Sequence, residues 1–176
     1  MKSRTKRTTL LWLIPFLFLI HNVEEAIFMR GTLDQVRTGM PRFLRVIIPP
    51  VSYEQFLVSL VLVTAVVFFF AFVGNLDRER AWGVYAMLLV QAVMFLNVFA
   101  HLAALIFFGS YTAGLGTALL INLPFSLHIF RRALRDRWIG PLGFALLFPA
   151  GAMAHIPILF GFLYVSGFIL RGLFGA

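Results

Sequence analysis

Cysteine is absent from the 176 residues, which excludes a disulfide framework, thiolate metal sites and cysteine nucleophiles. Charge is scarce as well: 12% of the residues carry it, and only seven side chains are acidic against fifteen basic ones. Soluble domains are about a quarter charged. With 61% hydrophobic residues and a mean hydropathy of +0.93, the chain is not built to fold in water. Twenty-one Phe and three Trp supply enough apolar surface to exclude a disordered chain. The net charge of +8 falls in short clusters between long apolar runs, a distribution that suits the anionic inner leaflet and not nucleic acid. Any metal bound here has to be held by histidine and carboxylate.

Five apolar stretches approach the ~20 residues that span a ~30 Å hydrocarbon core. They cover approximately residues 9–29, 55–73, 82–108, 111–130 and 141–170. The chain thus reads as one all-α domain, 1–176: a polytopic membrane helix bundle with five transmembrane helices, placed in the cell membrane. Lys2, Arg4, Lys6 and Arg7 precede the first stretch as they would precede a signal peptide, but no small-residue cleavage site follows, so this stretch is a retained span. With the N-terminus inside, ten basic residues face the cytoplasm and five face the other side, which predicts N-in and C-out. Residues 41–50, where basic and apolar side chains alternate between prolines, are expected along the membrane interface. The last stretch is too long to cross straight, and Pro149 and Pro157 predict a tilted, kinked single helix. In the fourth, the small residues Gly114 and Ala118 permit close helix packing.

Ionisable groups inside lipid cost at least ~2.5–3.5 kcal/mol each on insertion scales and mark functional sites by default. They are few here: His21, Glu24 and Glu25 in the first stretch, His101 in the third with Asn97 one turn before it, and His155 in the last. At about 100° per residue, Glu24 and Glu25 flank His21 at about 60° and 40° on either side of one helical face. A rise of 1.5 Å per residue puts His21 about 12 Å and His101 about 10 Å below the outer boundary, with His155 about 9 Å below it. Three histidines from three helices reach one level. His128 lies near the inner interface and does not join them, and Glu54 reads as a solvated helix start.

Such a layer fits several kinds of chemistry. The spacing His21-Asn22-Val23-Glu24-Glu25 matches the inverted zincin arrangement, with ligands at i and i+4 around a general base at i+3. On that reading His21, Glu25, His101 and His155 bind zinc or iron, Glu24 activates water, and Asn97 and Tyr111 support the site. The substrate is then a lipid-soluble or amphipathic small molecule, since the lining is Phe, Leu and Val. A metal-free acid–base enzyme of isomerase type uses the same residues. So does a small proton- or cation-coupled transporter, and so does mutual pairing that only holds the bundle together.

The chain resembles the HXXEE family of small integral membrane proteins. The resemblance rests on His21-Asn22-Val23-Glu24-Glu25, on the isolated downstream His101, and on Tyr111-Thr112-Ala113-Gly114, which is similar to the family's Y-x-P-G element with Ala113 in place of proline. It implies a shared site and no named activity. A looser likeness is to intramembrane CAAX-processing proteases, from which the chain departs at Met29, where those have arginine, and at Asn97, where they have phenylalanine. Sterol-isomerase-like bundles, which use intramembrane His and Glu without metal, are an equally loose comparison.

Overall fold

The computed structural model describes residues 2–39, 50–76 and 81–174. The segment expected at the interface lies outside the described residues except for Pro50. Everything regular among the described residues is helical. Helix α1 spans Lys2–Gly39, α2 Tyr53–Leu76 and α3 Ala81–Phe108. A helical run numbered α4 follows, composed of a first turn Leu115–Thr117, a π-helical segment Ala118–Asn122 and the α-helix Leu123–Arg135. Helix α5 is Pro141–Phe174, continuous through Pro149 and Pro157. Four helical segments are long and apolar enough to cross a membrane: Arg7–Leu33, Tyr53–Gly74, Ala81–Phe108 and Pro141–Leu173.

Helix α4 is not among those four, and the reason is local. The stretch expected to begin a span at Tyr111 instead turns through left-handed Gly109 and Gly114, at φ 65° and 86°, and becomes helical only at Leu115. Between Leu115 and Arg131 there remains apolar helix for about 24 Å at 1.5 Å per residue, short of a ~30 Å core. The helix stops at Asp136, where Arg137 takes a left-handed φ of 52° and Trp138 N–H reaches back to the Ala133 carbonyl at 2.8 Å. That six-residue closure satisfies a terminal carbonyl that would otherwise be orphaned.

Helix α3 is the centre of the bundle and touches all four others, while α2 packs on α1, α3 and α5. The tightest crossing is between α2 and α3: a Cβ placed on Gly83 would lie 2.6 Å from the Cα of Gly74. Leu11, Ile14, Met87, Leu88, Ala92, Ile129, Ala133 and Leu147 form the inner core. Beside them Phe95, Phe130, Phe144 and Phe148 meet edge to face, with centroids 5.4–6.0 Å apart, joining α3, α4 and α5. The outer surface is as apolar as the core: Ile106 is 82% exposed, Leu120 79% and Met153 78%. A surface of this kind is stable against hydrocarbon and not against water.

Candidate functional site

His21 and His101 are buried, at 1% and 8% exposure, although they come from helices whose surfaces face outward at neighbouring positions. Periodicity accounts for half of this, since each shares its helical face with core residues: His21 with Ile14 and Phe18, His101 with Met94 and Val98. The α1–α3 contact supplies the rest and brings the two rings edge to face, centroids 5.1 Å apart. Glu25, one turn after His21, places Oε1 3.6 Å from His21 Nε2 and 3.5 Å from His101 Nε2. Asn97, one turn before His101, has Nδ2 3.0 Å from each of the same two nitrogens.

Thr117 Oγ1 stands 2.8 Å from His21 Nδ1 and 3.3 Å from the Gly114 carbonyl oxygen. The first contact leaves His21 Nε2, on the far side of the ring, facing His101 and Glu25. Asn97 Nδ2 stands at hydrogen-bond distance from the Nε2 atoms of both His21 and His101, and each of those nitrogens has one lone pair, so holding an ion there requires Asn97 to give up both contacts. The two Nε2 atoms and one carboxylate oxygen converge on a small volume. Their ligand atoms all lie within 4.8 Å of one another, and the group could hold a metal ion.

The loop between α3 and α4 roofs this group. A Cβ on Gly114 would come within 2.7 Å of His101 Cε1 and 2.9 Å of both His21 Cε1 and Glu25 Cγ. No side chain other than hydrogen fits there, and the φ of 86° is one that glycine adopts without strain. Ala113 N–H donates to Thr32 Oγ1 at 2.9 Å, which ties the loop to the outer extension of α1.

Glu24 takes a part that its spacing does not suggest. Its carboxylate accepts from Gly116 N–H at 3.0 Å, from Thr117 N–H at 2.6 Å and from the hydroxyl of Tyr111. It thereby caps the first turn of α4 from another helix, satisfying amide donors that begin a helix without partners. The Tyr111 phenol is pushed above its ordinary range by desolvation and then by the bond to Glu24.

His155 is half-buried on α5 and stands outside the group of converging ligand atoms. His128 and Glu54 are exposed, in keeping with their reading as surface residues. Residues that sequence reasoning passed over are Thr117, which orients His21, and Asn22, whose Nδ2 donates to Thr64 Oγ1 of α2 at 2.7 Å. Gly114 enters the sequence reading as a packing residue and as the last residue of the Tyr111-Thr112-Ala113-Gly114 element; its place over the histidines comes from the fold.

Residues 12–129 match a family described as protein of unknown function with HXXEE motif. The chain belongs to the HXXEE family. The matched span takes in every hydrogen bond and ion pair of the His21, Glu24, Glu25 and His101 group and stops before α5. No curated protein and no solved structure matches the chain.

Proposed function

We propose that His21, Glu25 and His101 hold zinc or iron, and that this HXXEE protein is a metal-assisted membrane enzyme of hydrolase type. The observation that carries the reading is the spacing of the donor atoms. Zinc bound to N and O at ~2.0–2.1 Å in a tetrahedron sets its donors about 3.3–3.4 Å apart. The two histidine-to-Glu25 separations are 3.6 and 3.5 Å. Three protein ligands leave a fourth position for water, whose acidity the ion raises. In this shell His155 is not required. Thr117 Oγ1, at 2.8 Å from His21 Nδ1, orients the ring from the side away from the ion.

In this reading Glu24 is a positioning residue. By holding Gly116 and Thr117 it keeps Gly114 over the site and Thr117 against His21. The substrate is lipid-soluble or amphipathic, entering sideways past the exposed Ile20, Val23 and Ile27 of α1. We further propose that α4 also crosses the bilayer, its terminal arginines reaching along their aliphatic stems to the inner interface. That gives five spans with the N-terminus in the cytoplasm and the C-terminus outside the cell membrane, in agreement with the arginine distribution.

Elemental analysis of the purified protein tests the metal. One zinc or iron per chain is expected in the wild type and none in His21→Ala or His101→Ala, whose helicity and melting behaviour stay near wild type because packing, not the ion, holds the helices. A wild-type protein that arrives without metal and takes up neither added zinc nor added iron would refute the reading and favour metal-free acid–base chemistry.

A further inference from the structure

Inward of the His/Glu group, α3 and α4 share a second set of polar side chains that the proposed chemistry leaves unused. Gln91 of α3 and Ser126 of α4 are 2% and 0% exposed, and Gln91 Nε2 donates to Ser126 Oγ at 2.7 Å. Asn122 lies one turn before Ser126 and is 2% exposed. Its Nδ2 has no hydrogen-bond partner among the described residues. A buried amide donor is almost always satisfied, by protein or by ordered water.

Asn122 closes the π-helical segment Ala118–Asn122. A π turn holds more residues than an α-turn, so it turns Asn122 closer to the face of Thr117 than the about 140° that five residues of α-helix would leave. Ser126 follows one α-turn later. Together they form one polar stripe that runs inward from the site for about 13 Å at 1.5 Å per residue. At its inner end stand Met87, Leu88, Ile129 and Ala133, each 0% exposed, so the stripe is closed on that side.

We propose that Asn122 anchors buried water between Thr117 and the Gln91–Ser126 pair, on the flank of the His/Glu site. Water is the ligand that the lining selects. Asn122 offers an amide donor, Ser126 and Thr117 offer hydroxyls that give or accept, and none of these stripe residues is charged. That such water takes part in hydrolysis rests on the hydrolytic reading above; the water site itself does not. π segments are commonly found at functional sites.

The test compares wild type with Asn122→Leu, a change of similar volume, in lipid nanodiscs. A wild-type structure near 2 Å resolution is expected to show ordered water within hydrogen-bond distance of Asn122 Nδ2. The variant is expected to lose that density and to melt roughly 2–4 °C lower, with its metal content unchanged. A dry Asn122 in the wild-type density overturns the proposal even if the variant fails to accumulate. So does a variant that melts higher, because leucine would then merely have relieved an orphaned donor. Metal-free wild-type protein would defeat the hydrolytic reading and leave the outcome at Asn122 to stand by its own density.

Discussion

The half of this bundle around His21 and the half around Leu88 are both buried, yet they are held in different ways. Around Leu88 and Ile129 cohesion is a matter of volume: aliphatic and aromatic side chains fill space and satisfy no directional partner. Around His21 nearly every contact is directional, and each polar atom has its place set by another, from Gly114 through Thr117 to His21 and Asn97. Interior packing tolerates swaps that conserve volume. A directional network does not, because removing one partner strands the next. The half around His21 therefore spends stability on geometry, which is what a binding site requires.

The sharpest separation of the two regions comes from Leu88→Ala, at a residue with 0% exposure. It should cost about 2–5 kcal/mol of stability, measured as unfolding in mixed micelles, while metal content per folded chain stays at the wild-type level. Loss of metal in proportion to loss of stability would show that the halves are one unit. Gly114→Ala should do the reverse. A left-handed non-glycine residue costs about 1–2 kcal/mol, and the added carbon would press on both histidines; metal is expected to be lost from a protein that still folds. Thr117→Val keeps the shape and deletes the hydroxyl that bonds His21 Nδ1, so metal affinity should weaken about 10–100-fold, read by competition with a chelator. An unchanged affinity would detach Thr117 from the site.

The smallest effect is expected at Tyr111, which is 46% exposed. Tyr111→Phe removes one of the donors to Glu24 and should cost about 0.5–1 kcal/mol, with metal retained. The phenol's pKa is raised in the folded protein. Its contribution to stability is therefore complete below the ordinary tyrosine value of about 10 and fades as pH climbs through the higher folded value. Above that range the wild type should lose stability that Tyr111→Phe does not lose. Parallel alkaline melting curves for the two proteins would remove Tyr111 from the network.

Much of this was legible from residues alone. Hydropathy chose lipid as the solvent, the 3.6-residue period turned His21 and Glu25 to one face, and the rise per residue brought His21 and His101 to one depth. These are properties of a single straight helix, and a chain in lipid must form such helices because nothing else satisfies its backbone there. The tertiary structure decided which neighbours meet. It drew Glu25 into the histidine group and turned Glu24 to the start of α4, although both lay on the His21 face by angle. It left His155 outside the group, and it ended α3 in a glycine turn that shortened the expected fourth span and put a π segment where a regular helix was read. Those choices hang on one left-handed glycine and on interhelical hydrogen bonds between residues about 90 positions apart, and no periodicity within a helix encodes which helix will stand beside it.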